Sequence, residues 1–360
     1  MYMPQHKFIV CNYQHSLTSG IVSWQAPSNI ALVKYWGKYG EQMPMNASVS
    51  FTLKHCNTKT SVSFENKQSE GFEFEVFLDG KREEGFEPKI NKFFERVEVY
   101  LPFLKDFKFK IETSNSFPHS SGIASSASGM SALSLCLMEM EQRMQPSITD
   151  DYFKEKASFL ARLGSGSACR SVEGPLIVWG EHPEIDGSSN LFGTKYPFDI
   201  HENFRNYQDT ILLVDKGEKQ VSSTLGHDLM VDHPFAAERF RQAKDNLSKL
   251  IPVFNNGDLP QFIKIVESEA LSLHAMMMTS LPYFILMKPN TLEIINHIWK
   301  FREKTDSKLC FTLDAGANVH VLYPESEKES VLKFIANELS RYCKNGEFIE
   351  DESGFGAVRI

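Results

Sequence analysis

The stretch "PHSSGIASSASGM", residues 118–130, decides the fold of this chain. Its glycines and serines allow a backbone to approach a ligand closely. Apolar residues then recur at helical spacing, at Met130, Leu133, Leu137 and Met140. The pattern predicts a long helix that begins near Ser125 or Ser126. Because a helix N-terminus offers free N–H groups and a positive dipole end, the loop favours phosphate binding.

The same loop residues also fit a solvated serine-rich loop that caps a helix, so both interpretations stay open at this point. No lysine follows the last glycine, as a G-x-x-x-x-G-K-[ST] loop requires, and G-x-G-x-x-G is absent. The sequence therefore predicts neither a P-loop nor a dinucleotide fold.

Upstream, "NIALVKYWGKYG" (29–40) runs from four apolar residues into Lys34, Tyr35 and Lys38. A strand end whose lysines reach solvent explains this pattern. An anion site explains it too, because two ammonium groups and a phenol suit a phosphate-rich ligand.

Downstream, "RLGSGSACRS" (162–171) places Ser165, Ser167 and Arg170 in a run of small residues. A guanidinium there suits bidentate capture of a carboxylate or phosphate, although a surface arginine at a helix start fits equally well. The string is not a G-x-S-x-G elbow, which disfavours a serine hydrolase.

Two further segments carry polar residues next to glycines. In "TLDAGANVH" (312–320), Asp314 ends an apolar strand, where it is either a turn residue or a carboxylate able to take a hydroxyl proton. In "DKGEKQVSSTLGH" (215–227), the three residues Ser222, Ser223 and Thr224 either bind a ligand or cap the next segment. The eleven histidines lack metal spacing, and His119 is the one we place in a candidate loop, without a metal role.

Composition narrows the class of protein. The chain has 360 residues, 42% of them hydrophobic, and a net charge of −8, which disfavours nucleic-acid binding by bulk charge. Six scattered cysteines without metal spacing indicate reduced thiols in a cytosolic protein. The first 20 residues do not form a signal peptide, and no stretch approaches a membrane span. We expect residues 1–20 to be a flexible or loosely docked extension.

The order of predicted elements gives an α+β protein in two halves. Period-two strands at 48–53, 60–65, 72–80 and 107–113 dominate the first half. Two helices around "NNGD" form an αα-hairpin in the second half. The division is therefore an extension at 1–20, a first domain at 21–205 and a second at 206–360.

Taken together, "APSNIALVKYWGK", "SFPHSSGIASSASG", "GSGSACRS", "VSST" and "LDAGAN" resemble the mevalonate diphosphate decarboxylases of the GHMP kinase superfamily. Their order and approximate spacing match from about residue 21 to about residue 325. The resemblance implies the GHMP kinase two-domain fold, with an N-terminal α/β sandwich that contains a left-handed βαβ unit and a ferredoxin-like C-terminal half.

The resemblance also implies an activity. The family converts mevalonate 5-diphosphate and ATP to isopentenyl diphosphate, carbon dioxide, ADP and phosphate, in isoprenoid biosynthesis by the mevalonate pathway. ATP and Mg²⁺ are the implied cofactors. A cytoplasmic homodimer with a small-molecule substrate, and with neither a nucleic-acid nor a membrane partner, is the implied setting.

By the same resemblance, Asp314 is the base or positioner for the substrate 3-hydroxyl. Arg170 holds the substrate carboxylate and Asn29 orients Arg170. The diphosphate is bound by Tyr35 and Lys38, with Lys34 close to the reacting phosphates. The remaining substrate-binding residues are Ser165, Ser167, Ser222 and Ser223. The ATP phosphates are cradled by Pro118, Ser120, Ser121, Gly122, Ala124, Ser125 and Ser126, with Ser126 or Ser125 near Mg²⁺.

The chain departs from the family pattern in two places, because "PTAAGLASSA" reads "PHSSGIASSA" here and "FDAGPN" reads "LDAGAN". Relatives that phosphorylate the 3-position or decarboxylate a monophosphate are alternatives on the same scaffold. Lys34, Arg170 and Asp314 together favour the complete decarboxylase, and Tyr35 with Lys38 favours the diphosphate. A non-catalytic sensor would be expected to lose Asp314 or the phosphate loop.

Overall fold

The computed structural model describes residues 4–10, 12–118, 123–215 and 223–360. The described strands are β1 Ser19–Val33, β2 Lys38–Tyr39, β3 Met43–Pro44, β4 Ser48–Asn66, β5 Glu73–Leu78, β6 Lys81–Arg82, β7 Phe107–Asn115, β8 Leu176–Trp179, β9 Thr194–Lys195, β10 Gln208–Leu212, β11 Cys310–Thr312, β12 Val319–Tyr323, β13 Phe348–Glu352 and β14 Val358–Arg359. The described α-helices are α1 Glu87–Val97, α2 Ser125–Met144, α3 Asp150–Gly164, α4 Ser223–Asp228, α5 Ala236–Asn256, α6 Leu259–Thr279, α7 Pro289–Thr305 and α8 Lys328–Phe334.

The first sheet is built around β4. The strands predicted at 48–53 and 60–65 are one continuous strand here, which pairs with β1 along one edge and with β8 and β7 along the other. The strand order is β14-β1-β4-β7-β5-β6, with β9 attached to β8. Only the β5–β7 pair is parallel among the described strands, and α1 connects the two as a βαβ unit. Helices α2 and α3 pack with α1 to form the core of this half.

The second sheet has the antiparallel order β11-β12-β10-β13. The predicted αα-hairpin is confirmed: Gly257, at a φ of 74°, ends α5, and Asp258 caps α6 by accepting the N–H of Gln261. The sequence analysis missed β13, which is charged and short. Strand β14 pairs with β1, so the last residues lie with the first sheet although the sequence division places them in the second half. The division near residue 205 stays a prediction.

The two halves share a core, and this core positions the end of β1. Ile30, Leu32 and Val33 are buried against the side chains of β4 and of the α5–α6 hairpin. Helix α6 contacts both β1 and β11. Lys34 follows β1 and Asp314 follows β11. Consequently the two residues lie beside each other between the halves.

The expectation of a flexible or loosely docked N-terminal extension is wrong for residues 4–10. The ring of Phe8 is fully buried, and its centroid lies 4.5 Å from that of Phe159 in a stacked arrangement. Further along, the Tyr13 hydroxyl donates a hydrogen bond to Glu141 at 3.2 Å. An aromatic anchor, which composition alone did not reveal, ties this segment to α3.

Across the described ranges, every helix is too short or too polar to cross a membrane.

Replacing Phe8 with Ala should lower the free energy of unfolding by about 3 kcal/mol, because a fully buried ring is lost and a cavity is left against α3. Urea denaturation followed by circular dichroism measures the change. The neighbouring side chain Ile9 is 37% exposed, and Ile9→Ala should cost less than about 1 kcal/mol. Equal, small losses for both variants would contradict the anchoring role.

Candidate active site

A cavity of about 630 Å³ lies between the two halves. It is bounded by the residues after β1, the N-terminus of α2, the turn that follows α3 and the residues after β11. Most of the residues that the sequence singled out line it, namely Lys34, Tyr35, Lys38, Ala124, Ser125, Ser126, Ser165, Ser167, Arg170 and Asp314. The segments that sequence reasoning treated separately therefore meet at one place.

A lysine–aspartate ion pair joins the halves at this cavity. Lys34 Nζ donates to Asp314 Oδ1 at 2.9 Å. The lysine is 1% exposed, and burial lowers the pKa of its ammonium group, whereas the Asp314 carboxylate opposes this shift. The Asp314 side chain keeps 29% of its surface accessible. A substrate hydroxyl can therefore reach this carboxylate, while the ammonium group behind it is shielded from water.

Helix α6 supports both partners of this ion pair through their backbone. Glu269 accepts the N–H of Lys34 at 2.8 Å and is itself held by Arg239 at 3.0 Å. One and a half turns further along, His274 Nε2 donates to the carbonyl oxygen of Asp314 at 3.1 Å. Sequence reasoning missed both α6 residues. The available signal was a carboxylate and an imidazole at helical spacing with apolar residues of α6 such as Val266 and Leu273, which indicates buried polar partners.

Arg170 is a buried guanidinium directed at the cavity. It is 3% exposed and lies in the 3₁₀ turn Gly166–Ser171. The alternative interpretation of the sequence, an arginine on the surface, is therefore wrong. Its Nε donates to Asn29 Oδ1 at 3.3 Å, and its Nη1 donates to the Ser48 hydroxyl. In the described part of the chain no carboxylate lies within ion-pair distance of it. An unpaired buried cation is costly, so this geometry indicates an anionic ligand.

The neighbouring aromatic residue Tyr35 packs directly against Gly166, where no side chain larger than that of glycine would fit. A Cβ on Gly166 would lie 3.0 Å from the Tyr35 hydroxyl and 2.9 Å from the Trp179 ring. Burial raises the pKa of the Tyr35 phenol, which therefore stays protonated and can donate a hydrogen bond at neutral pH. Lys38, half-buried at the cavity mouth, has Asp228 at 3.5 Å as its ion-pair partner.

Sequence reasoning also missed His227, which lines the cavity next to these residues. Its ring centroid lies 4.3 Å from that of Tyr35 and 4.5 Å from that of Trp36. The signal was present in "VSSTLGH", a segment chosen for its hydroxyl groups and not for its histidine.

The N-terminus of α2 faces the cavity and confirms the predicted helix start at Ser125. Ala124 precedes it in the left-handed region, at a φ of 46°, and no side chain caps the helix in the described residues. The Ser126 hydroxyl is exposed and lies 3.3 Å from that of Ser165. Open N–H groups and a hydroxyl at a helix N-terminus fit a phosphate.

Some predicted positions fall elsewhere. Pro118 is exposed and is not part of the cavity lining. Asn29 is not part of the lining either, but it contacts the lining residues Ser167 and Arg170. Ser223 is the first residue of α4. Four of the predicted positions lie outside the described residues: Ser120, Ser121, Gly122 and Ser222.

The charges of the lining fit a phosphate ligand that carries a metal ion. Asp314 is the single carboxylate among the described lining residues, which include the cations Lys34, Lys38, Lys89 and Arg170. Within the described ranges no group of three or more His, Cys, Asp or Glu side chains is arranged to hold a metal ion. Mg²⁺ bound mainly through phosphates and water needs few protein ligands, and the Ser126 hydroxyl suits that role.

The fold and this cationic cavity define an enzyme of the GHMP kinase type. Two family models match the chain: a diphosphomevalonate decarboxylase-like N-terminal domain at residues 26–190 and a mevalonate 5-diphosphate decarboxylase C-terminal domain at residues 210–355. The chain belongs to the diphosphomevalonate decarboxylase family.

Individual proteins that are similar to this chain support the family assignment. The diphosphomevalonate decarboxylase of Saccharomyces cerevisiae is 29% identical over 88% of this chain and 81% of its own length. The mevalonate diphosphate decarboxylase structure from Staphylococcus aureus has a TM-score of 0.81 at 26% identity, over 95% of this chain and 98% of that one. A structure described as MDDEF in complex with MVAPP, AMPPCP and magnesium has a TM-score of 0.80 at 29% identity, over 95% of this chain and 99% of that one.

His274 should make stability depend on pH. Burial lowers the pKa of its imidazole from 6.5 to about 4, so as pH falls the unfolded chain takes up the proton first and the folded state loses stability. From about pH 7 to about pH 5 this site should cost about 2 kcal/mol.

The matched variant is His274→Gln, whose amide can still donate to the Asp314 carbonyl but does not titrate. Urea unfolding at several pH values measures the free energy of unfolding. Between about pH 7 and about pH 5, the variant should lose about 2 kcal/mol less of it than the unaltered protein. Parallel pH curves for the two proteins would contradict a neutral, buried His274.

Proposed function

We propose that this enzyme decarboxylates mevalonate 5-diphosphate with ATP and Mg²⁺, and that the predicted site residues carry the reaction. The observation that carries the proposal is the buried Arg170, which faces the same cavity as the Lys34–Asp314 ion pair and has no carboxylate partner in the described chain. Family membership supports the reaction, and the cavity geometry supports separate contacts with a carboxylate, a hydroxyl and a diphosphate.

Asp314 is the residue that acts on the 3-hydroxyl. Its accessible carboxylate either accepts the hydroxyl proton or fixes the direction of the hydroxyl oxygen toward the nucleotide. Lys34 stabilises the ionised form of Asp314 across their 2.9 Å contact and places a positive charge where phosphate oxygens gather. Because Glu269 and His274 hold the two backbones, this ion pair is positioned before substrate binds.

Arg170 orients the carboxylate that is lost as carbon dioxide. Hydrogen bonds to Asn29 and Ser48 hold its planar guanidinium in one orientation, which fixes the direction of the remaining N–H donors. Loss of the phosphorylated oxygen leaves cationic character at the tertiary carbon, and decarboxylation supplies the electron pair that forms the double bond. A carboxylate held in one orientation can align its breaking bond with that carbon.

The phosphate groups are bound at two edges of the cavity. Lys38 and the protonated Tyr35 face the diphosphate of the substrate, whereas the N-terminus of α2 with Ser125 and Ser126 faces the nucleotide phosphates. Mg²⁺ would neutralise charge on the transferred phosphoryl group, with the Ser126 hydroxyl as the protein group suited to hold it. The homodimer and the cytoplasmic location implied by the resemblance stay predictions.

A product assay tests this function against its alternatives. Purified protein, ATP and Mg²⁺ are combined with 1-carboxyl-labelled mevalonate, its 5-phosphate or its 5-diphosphate. We expect labelled carbon dioxide and ADP in equal amounts from the diphosphate alone. Release from the monophosphate would assign the alternative decarboxylase, and ADP without carbon dioxide would assign a 3-kinase.

Asp314→Asn should bind both substrates but lose about three or more orders of magnitude in turnover, because the amide cannot accept the hydroxyl proton. Single-turnover release of labelled carbon dioxide measures the chemical step, and equilibrium dialysis measures binding. Turnover like that of the unaltered enzyme would remove Asp314 from the mechanism.

Arg170→Lys should lower turnover by about a hundredfold although the charge is kept, because one ammonium group cannot replace a planar fork held by Asn29 and Ser48. The exposed Arg241→Lys is the matched control and should behave as the unaltered enzyme does. Steady-state kinetics with the diphosphate measures both, and a fully active Arg170→Lys would refute the clamp.

A further inference from the structure

Helix α4 is joined to the Tyr35–Lys38 segment by three successive residues. Gly226 lies so close to the Trp36 ring that a Cβ would be 2.6 Å away. His227 packs against the Tyr35 and Trp36 rings, and Asp228 pairs with Lys38. The close approach made possible by Gly226 therefore places the His227 ring beside the residues that face the substrate diphosphate.

The hydrogen bonds of His227 define which of its nitrogen atoms carries the proton. The backbone N–H of Gly37 donates to Nδ1 at 3.0 Å, so Nδ1 is the acceptor. The proton of the neutral ring must then be on Nε2. Over the described ranges Nε2 has no acceptor, and the partly exposed ring lines the cavity. A ligand in the cavity can supply the missing acceptor.

The ring stays neutral at the pH of the cell. Burial, together with the nearby cations Lys38 and Arg170, lowers the pKa of the His227 imidazole to about 3. A protonated ring could not accept the Gly37 N–H, so the neutral tautomer and the loop geometry support each other. His227 therefore offers one fixed N–H donor without adding a charge to the site.

We propose that His227 is a further substrate-binding residue, whose Nε2–H donates to a phosphoryl oxygen of the substrate diphosphate. This assignment rests on the proposed function for the identity of the ligand. The choice of a phosphoryl oxygen follows from the surroundings, because the Tyr35 ring packs against the His227 ring and Lys38 pairs with the adjacent Asp228. Tyr35 and Lys38 are the donor and the cation that the proposed function assigns to the substrate diphosphate.

Two substitutions separate the two nitrogen atoms of the ring. In His227→Asn the amide oxygen can replace Nδ1 as acceptor for Gly37, but the donor at Nε2 is lost. In His227→Gln the amide nitrogen lies near the former Nε2, so the donor is kept and the Gly37 acceptor is lost. His55→Asn is the matched control, because His55 is exposed and is not part of the cavity lining.

Isothermal titration calorimetry with mevalonate 5-diphosphate, without ATP, measures the binding. We expect His227→Asn to weaken binding about tenfold or more, as is typical when a hydrogen bond to a charged group is lost. We expect His227→Gln to recover part of that loss, and the KM for ATP to change by less than about twofold in either variant. Binding by His55→Asn should match that of the unaltered protein.

The outcomes distinguish this assignment from the proposed function. Equal diphosphate binding by the unaltered protein and His227→Asn, with carbon dioxide released by both, would overturn the role of His227 alone. A loss in both His227 variants that follows a lowered melting temperature would also overturn it, because the ring would then be only structural. Weakened binding in His227→Asn, when even the unaltered protein releases no carbon dioxide, would support His227 and refute the decarboxylase.

Discussion

The Lys34–Asp314 ion pair is the interaction on which the arrangement of the site depends. An ammonium group that is 1% exposed persists as a cation only when a carboxylate lies close to it and its backbone is also satisfied. Each partner comes from a different half of the chain, and α6 fixes both through Glu269 and His274. The relative position of the two sheets is thus tied to the distance between two charged atoms. Any change that separates the halves also exposes a buried charge.

The chain has a net charge of −8, but cationic side chains predominate among the charged residues that line the cavity. The described lining of the cavity holds several lysines and an arginine but only one carboxylate, so the local field is opposite in sign to the global one. An anionic substrate is repelled by much of the surface and attracted at one opening. The same lining explains why few protein groups are needed for a metal ion, since the ion arrives with the phosphates that it neutralises.

Local patterns in the sequence predicted individual elements and the residues that meet at the cavity, whereas the GHMP kinase two-domain fold was implied by the family resemblance and not by those patterns. A glycine- and serine-rich loop before a helical period defines the start of α2, and "NNGD" defines the α5–α6 hairpin. Asp314 and Lys34 stand out because each follows an apolar strand. The supporting residues were not predictable in this way. Glu269 and His274 support the site from the buried face of α6, and the ring of His227 reaches it because Gly226 allows α4 to approach Trp36. Such roles depend on contacts between distant segments, which spacing along a chain does not encode.

Strand β14 has a consequence for how the molecule is made. The last residues pair with β1, where Trp24 lies opposite Arg359 and the N–H of Ile360 donates to the carbonyl of Ser23. Strand β1 is synthesised long before β14, so this part of its outer edge stays uncovered until β14 has also been made. Until then that edge offers unpaired N–H and carbonyl groups to other nascent chains. The first sheet is therefore completed only when residues from both halves of the chain have been made.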